Sequence, residues 1–255
     1  MDNQGRQPPP STIAPLPPGR LVEALRRQIA AVEGARRQTR ADADGPVSSG
    51  CGALDRLLPG PGFRRGTLAE WISADSASGA ATLAFCTARQ ACDQGGALVV
   101  LDPQREFYPP AAVRLGIELE KLVVVQCCRE AEAAWALNQA LRSAAVAAVV
   151  TWPAALEGHA FRRLQLAAEE GGSLGLLIRP PAARSEPSWA DVRLWVEPLR
   201  AAACGGPRRV KIEVLRSRGT AVGGSIQVEI DDETGIVHLD SPLADPATRG
   251  RAAGA

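Results

Sequence analysis

The chain of 255 residues has few of the side chains that build metal or disulfide sites. It has six cysteines and two histidines, and no two cysteines have CxxC spacing. The histidines, His159 and His238, are also far apart in the sequence. Zinc sites need clustered cysteine and histidine ligands, and disulfide scaffolds are typical of much shorter secreted chains. We therefore expect reduced, mostly buried thiols and no metal.

Long apolar segments are absent as well. No run approaches the roughly 18 apolar residues that a membrane-spanning helix needs, and the first twenty residues lack the apolar core of a secretion signal. The net charge is +1, so no long-range field attracts nucleic acid or an anionic membrane. We expect a cytoplasmic protein without a membrane partner, in which any contact with nucleic acid comes from a local patch.

The two ends of the chain differ in composition from its centre. Residues 1–19 contain six prolines, which predicts disorder, and residues 241–255 are predicted to form a disordered tail. Residues 20–45 predict a basic helix and a linker, with apolar residues at helical spacing on one face. Its arginine face either docks on an acidic partner or on phosphate, or is the solvated side of a packed arm. The candidate partner-binding residues on this face are Arg26, Arg27, Arg36 and Arg37.

Residues 46–240 alternate short apolar runs with helical patterns, which predicts an α/β fold with a mainly parallel sheet flanked by helices. After residue 187 the pattern consists of strands only, and these are expected to add antiparallel strands to one edge of the sheet. The predicted strands span 67–73, 97–102, 121–126, 146–151 and 173–178, followed by the four C-terminal strands. The predicted helices span 79–94, 109–116, 129–143 and 159–170.

A loop of small residues follows the strand 67–73 and leads into a helix, which is the architecture of a phosphate-binding loop. The functional pattern needs Gly, four residues, Gly, Lys, and then Ser or Thr. Ala74 stands at the first glycine, Gly79 at the second, Ala80 at the lysine and Ala81 at the hydroxyl. Alanine cannot contact the β- and γ-phosphates as lysine does. The chain has only two lysines, Lys121 and Lys211, and neither follows a glycine-rich loop.

Two long segments resemble the bacterial recombinase RecA and, more closely, the ImuA-like members of that family. The first, VSSGCGALDRLLPGPGFRRGTLAEWIS at 47–73, is similar to the segment that enters the RecA core. The second, at 97–150, has a strand ending in Asp102 and then a short helix followed by RLGIELEKLVVV. The resemblance implies a RecA-like fold of the P-loop NTPase type with an N-terminal helical arm.

The resemblance also implies that several catalytic positions have been lost. The water-activating glutamate of the family corresponds to Gln104, the magnesium-organising aspartate to Thr151, and the glutamine that senses the γ-phosphate to Pro180. Glutamine orients water but cannot take its proton. We therefore expect neither ATP hydrolysis nor a bound cofactor.

Three further regions correspond to contact surfaces of the family. The two DNA-binding loops of RecA are short here, and the candidates for a weak contact with single-stranded DNA are Arg179, Arg184 and Trp189; an ordinary surface loop is the alternative. Arg216 and Arg218 stand where the family places two basic residues that reach the neighbouring subunit's nucleotide. The alternative is a pair of exposed arginines at the end of a strand.

The resemblance implies a function in the response to DNA damage. ImuA-like proteins work with a RecA filament and an ImuB-like Y-family polymerase homologue during translesion synthesis, and we expect a non-catalytic accessory protein of this kind. One alternative is a cell-division inhibitor similar to SulA, which binds FtsZ. The other is an ATP-dependent recombinase, which would need a functional P-loop.

Overall fold

A computed structural model describes residues 45–75, 78–127, 129–199, 207–218, 224–231 and 237–239. The predicted basic helix over residues 20–45, with Arg26, Arg27, Arg36 and Arg37, lies outside the described residues except for its last position. The two segments predicted to be disordered, 1–19 and 241–255, also lie outside them.

The described strands form one sheet in the order β3-β2-β4-β5-β1-β6-β7-β8-β9. The contacts from β3 to β6 are all parallel, and those from β6 to β9 are antiparallel. The mainly parallel sheet with antiparallel C-terminal strands is thus confirmed. The strands are β1 (Leu68–Ser73), β2 (Ala97–Leu101), β3 (Leu122–Val125), β4 (Val146–Thr151), β5 (Leu174–Arg179), β6 (Val192–Pro198), β7 (Arg208–Ser217), β8 (Ser225–Ile230) and β9 (Val237–Leu239).

One detail of the prediction is wrong. The first of the four C-terminal strands, β6, runs parallel to β1, with Trp71 opposite Leu194, so the antiparallel part begins only at β7. The segment between β5 and β6 carries the chain back to the amino edge of the sheet. There the Asp191 amide donates a hydrogen bond to the Leu68 carbonyl (2.9 Å), and β6 then starts beside the beginning of β1.

Helices cover both faces of the sheet, as the alternating pattern predicts. Helix α2 packs on one face, while α4 and α5 pack together on the other. Within the described part of the chain, no helix is long and apolar enough to cross a membrane. The helices are α1 (Gly52–Asp55), α2 (Ala80–Asp93), α3 (Pro109–Arg114), α4 (Glu130–Arg142) and α5 (Gly158–Gly171).

Two apolar clusters stabilise these layers. The larger joins α2 to the sheet and continues beneath the C-terminal strands, where Ile212 of β7 and Ile230 of β8 are fully buried. The smaller fills the space between the sheet and α4 and α5, around Leu137 and Phe161. The C-terminal strands share this cluster with α2, and Arg208 of β7 contacts the helix directly through a hydrogen bond to Thr82.

The segment that enters the sheet is fixed by one buried carboxylate. Asp55 accepts hydrogen bonds from the Ser48 hydroxyl (2.6 Å) and the Ser49 amide (2.8 Å). Val47 pairs with Phe63, and Gly62 lies so close that a Cβ there would come within 2.3 Å of the Val47 carbonyl oxygen. Gly62 also has φ +127°, a conformation that favours glycine. These contacts hold residues 45–63 along the amino edge of the sheet.

Candidate functional site

Where the chain passes from β1 into α2, the second glycine of a phosphate-binding loop is present as Gly79, whereas alanines stand at the lysine and hydroxyl positions. Gly79, immediately before α2, has φ +84°, the left-handed conformation in which glycine is favoured. The Ser73 and Ser78 hydroxyls are 2.6 Å apart, and the Ala80 amide donates to the Ser78 hydroxyl (3.3 Å). The Ser78 hydroxyl therefore accepts a hydrogen bond from an amide at the helix N-terminus. In functional loops the amides at this position donate to phosphate instead.

Side chains of the C-terminal strands cover this loop. A Cβ on Gly79 would lie 3.0 Å from Ile230 Cδ1 and 3.4 Å from Val210 Cγ1. Ala80 is 2 % exposed and belongs to the larger apolar cluster. Arg208 of β7 also reaches the loop, where its Nη2 donates to Thr82 Oγ1 (3.1 Å). The lysine position is thus packed in the core.

The thiols near α2 are poor nucleophiles. Burial raises the pKa of the Cys86 thiol to about 11, and burial, with a smaller contribution from Asp93, raises the pKa of Cys92 to about 11.

Within the residues that the structure describes, no group of three histidine, cysteine, aspartate or glutamate side chains could hold a metal ion.

The other positions matched to catalytic residues lie at the carboxyl edge of the sheet, but not all in one cavity. Gln104 and Thr151 line a groove of about 740 Å³ between the ends of β2 and β4 and helices α4 and α5. Pro180, after β5, and Ala74, after β1, are not among its lining residues. The groove is walled by apolar side chains such as Trp135, whose exposed fraction is 67 %.

Asp102, just before Gln104, has a structural role. Its two carboxylate oxygens accept hydrogen bonds from the amides of Glu106 and Phe107, both at 3.0 Å. An aspartate that bonds its own following backbone in this way fixes a turn. Gln104 itself is exposed in that turn.

The structure corrects the expectation that Arg179 contacts DNA. Arg179 is 2 % exposed, and its guanidinium forms ion pairs with Glu70 (3.1 Å) and Glu186 (2.5 Å). Glu70, in the middle of β1, also accepts hydrogen bonds from Arg193 Nε and the Ser188 hydroxyl, both at 2.7 Å. The Arg179 charge is therefore neutralised inside the protein.

This buried network, which we call the Glu70 cluster (Glu70, Arg179, Glu186, Ser188 and Arg193), holds the segment 180–190 against the sheet. Two further contacts involve the remaining DNA candidates. Arg184 packs on the Trp195 ring (4.5 Å to the ring centroid), and Arg162 of α5 lies 5.1 Å from the Trp189 centroid. Arg184 also pairs with Glu213 at 3.5 Å. Arg184 and Trp189 therefore contact different elements of the fold.

The Glu70 cluster was not predicted from the sequence, although the sequence contains a signal for it. Glu70 is the one charge in the strand pattern 67–73, and Arg193 is a charge near the start of the strand pattern that follows residue 187. The register places these two residues directly opposite each other in β1 and β6. A lone charge in a strand expected to be buried on both faces indicates a buried partner.

Arg216 and Arg218 lie at the amino edge of the sheet, opposite the loop after β1. The length of β1 separates the two edges by about 17 Å. Arg216 Nη1 donates to the Ser188 carbonyl (2.9 Å), and Arg218 Nη1 lies 3.3 Å from Asp191 Oδ1. Beside them a pocket of about 510 Å³ opens between the entering segment 45–65 and the start of β6. This pocket was not predicted from the sequence.

Comparison with known proteins agrees with this architecture. Residues 30–161 match the family model of the RecA N-terminal domain. The crystal structure of the RadB recombinase superimposes with a TM-score of 0.60 at 18 % identity, and the match covers 76 % of this chain and 100 % of that one. The fold is therefore that of a RecA-like α/β domain.

The similarity to one group within this class is more extensive. ImuA of Caulobacter vibrioides is 31 % identical over 71 % of this chain and 82 % of its own length. The cell-division inhibitor SulA of Photorhabdus laumondii is 28 % identical, over 41 % of this chain and 59 % of its own length. The chain belongs to the ImuA family, as the sequence resemblance implied, and this membership connects it with the response to DNA damage.

Proposed function

We propose that this chain is a non-catalytic accessory protein of DNA-damage-induced translesion synthesis. It acts by binding a RecA filament, an ImuB-like Y-family polymerase homologue, or both. The match to ImuA covers 71 % of this chain, whereas the match to the cell-division inhibitor SulA covers 41 %, and this difference supports the accessory function. The RecA-like shape is suited to docking against RecA-like subunits without nucleotide exchange.

The proposal that the protein does not hydrolyse ATP rests on one observation: side chains of the C-terminal strands cover the end of the loop after β1. A phosphate-binding loop needs a lysine that reaches the β- and γ-phosphates and space above its second glycine. Here Ala80 stands at the lysine position inside the core, and Ile230 and Val210 lie above Gly79. Gln104 and Thr151 also lack the carboxylates needed to activate water and organise magnesium.

Two sets of arginines are the candidate partner surfaces. Arg26, Arg27, Arg36 and Arg37 precede the described core in the sequence. Arg216 and Arg218 lie at the amino edge, where a subunit docked head-to-tail could bring its own nucleotide. In this arrangement, a chain that binds no nucleotide itself would still contact that of its neighbour.

The test is affinity purification of the tagged full chain from DNA-damaged cells, read by mass spectrometry. We expect recovery of RecA and a Y-family polymerase homologue, with FtsZ at background. The R216A/R218A variant should lose most of the RecA signal. The matched control R114A/R129A, which removes two exposed arginines from other elements, should retain it.

A cell-division function is the second candidate, because SulA is also similar to this chain. Recovery of FtsZ without RecA or the polymerase homologue would favour it and contradict the accessory function. Recovery of neither set would contradict both.

A further inference from the structure

The pocket at the amino edge of the sheet has charged and polar side chains in its lining, and the proposed function uses only one of them, Arg218. Its lining includes three arginines, Arg64, Arg65 and Arg218, and one carboxylate, that of Asp191, to which Arg64 and Arg218 lie within 4 Å. The Arg64 and Arg218 side chains are 73 % and 42 % exposed, whereas that of Asp191 is 8 % exposed. One buried negative charge therefore faces a positive excess, which favours a ligand with an anionic group.

The floor of the pocket contains polar atoms with no hydrogen-bond partner among the described residues. Asp191 Oδ1 lies 3.6 Å from Arg64 Nη2 and 3.3 Å from Arg218 Nη1 but accepts no hydrogen bond, and the buried Ser217 hydroxyl makes none. Buried polar groups without partners are costly in native proteins. A ligand that supplies a donor to Asp191 and bonds Ser217 would remove this cost.

These two requirements favour a peptide over a free phosphate. Free phosphate near neutral pH has one or two O–H donors, but they stand on an anion that Asp191 repels. An extended peptide offers backbone N–H donors together with an acidic side chain for the arginines. The walls suit such a chain, because Pro46, Pro59 and Pro61 contribute apolar surface and three glycines in the lining have no side chain to obstruct it.

We propose that this pocket binds an extended segment of a partner protein that carries aspartate or glutamate side chains. The acidic side chain pairs with Arg64 and Arg218, and a backbone N–H of the segment donates to Asp191. This binding is a property of the pocket itself and does not depend on which partners the cellular experiment recovers.

The test uses the full chain and a fluorescein-labelled peptide, Gly-Ser-Asp-Asp-Glu-Ser-Gly, followed by fluorescence anisotropy. The neutral counterpart, Gly-Ser-Asn-Asn-Gln-Ser-Gly, is the matched ligand. We expect the acidic peptide to bind about tenfold more tightly than the neutral one, and Arg64→Ala to remove about that factor. Arg129→Ala, an equally exposed arginine outside the pocket, should leave the affinity unchanged.

Ser217→Ala separates binding from folding. Because this hydroxyl has no partner among the described residues, its loss should leave the melting temperature unchanged or slightly higher. The same substitution should weaken binding of the acidic peptide severalfold. A loss of stability together with unchanged binding would show that the hydroxyl serves the fold alone and would contradict its assigned contact.

Three results would overturn the proposal. The first is equal binding of the acidic and neutral peptides, or equal binding by the wild type and Arg64→Ala. The second is tighter binding of ATP or of an oligo-dT strand, lost in Arg64→Ala, which would assign the pocket to phosphate groups. The third is that the acidic peptide binds to the D42N/D44N variant but not to the wild type. In that case Asp42 and Asp44 of the chain itself would occupy the pocket of the wild type.

Discussion

Glu70 shows how a single charge can fix the position of a whole segment. It sits in the buried strand β1 and compensates two arginines from neighbouring strands, Arg179 and Arg193. Removing one partner of a buried ion pair costs more than the pair itself contributes, because the other charge stays buried without compensation. Glu70→Gln should therefore lower the free energy of unfolding by about 3–5 kcal/mol, measured by urea denaturation.

The matched control for this prediction is Glu170→Gln. Glu170 pairs with Arg142 at 2.7 Å, but both side chains are about half exposed. Exposed ion pairs contribute roughly 0–1 kcal/mol, so this variant should stay within that range. Equal losses in the two variants would contradict the assignment of Glu70 as the charge that compensates the buried arginines.

The two buried thiols of α2 give a prediction with a defined pH range. Burial raises the pKa of Cys86 and Cys92 from an ordinary 9.0 to about 11. In the native protein at pH 8.5, both should be alkylated by iodoacetamide far more slowly than in urea, because the thiolate is the nucleophile. Site-resolved mass spectrometry measures this, and equal rates in the two conditions would contradict it.

The same shifts have a consequence for stability. Between pH 9 and pH 11 the unfolded thiols lose their protons while the folded ones keep them. The free energy of unfolding should therefore be unaffected by these groups below about pH 9 and should fall as the pH rises toward 11.

A glycine at the end of helix α5 allows α5 to lie close to the end of helix α4. Gly171, its last residue, lies against the end of α4, and a Cβ there would come 2.1 Å from the Leu141 carbonyl oxygen. Since backbone atoms cannot move aside cheaply, Gly171→Ala should lower the free energy of unfolding by more than about 2 kcal/mol. Thermal denaturation checks this.

The other end of the same helix provides the control. A Cβ at Gly158 would meet no atom within 4 Å, and alanine is the better helix former by roughly 0.5–1 kcal/mol. Gly158→Ala should thus be neutral or slightly stabilising. If both variants behaved alike, the close approach of α4 and α5 would not be the reason for glycine at position 171.

Sequence patterns were sufficient for the elements and insufficient for their long-range contacts. The predicted helices and parallel strands match the observed bounds closely because periodicity is a local property. The direction of β6 was missed because alternation along a strand is the same for parallel and antiparallel pairing. The burial of Arg179 was missed because it depends on Glu70, which is 109 positions away in the chain.

The candidate sites divide in the same way. Ala80 and Ala81 can be identified from spacing alone, since the P-loop pattern is contiguous. That Ile230 and Val210 cover Gly79 follows only from the packing of β7 and β8 against α2. The pocket around Asp191 likewise combines residues from three separate segments, and no sequence pattern brings them together.

At the scale of the molecule, the two edges of the parallel sheet differ in character. Ligands of open α/β sheets bind at the carboxyl ends of the strands, and here the phosphate-loop position at that edge is filled by apolar packing. The amino edge presents Arg216 and, in the lining of its pocket, Arg64 and Arg218. The family's usual ligand position is thus covered, while charged groups are available at the opposite edge.

This difference predicts the response of the whole protein to nucleotide. A ligand at 100 times its dissociation constant stabilises the folded state by about 2.7 kcal/mol, which in a domain of this size raises the melting temperature by about 5–10 °C. The loop after β1 has neither the lysine nor the space for phosphates. Millimolar Mg-ATP should therefore shift the melting temperature of this protein by less than about 1 °C. A RecA protein measured in parallel is the positive control. A shift of several degrees that persists in Arg64→Ala would place ATP at the loop after β1 and contradict the non-catalytic assignment, whereas a shift abolished by Arg64→Ala would place it in the pocket at the amino edge.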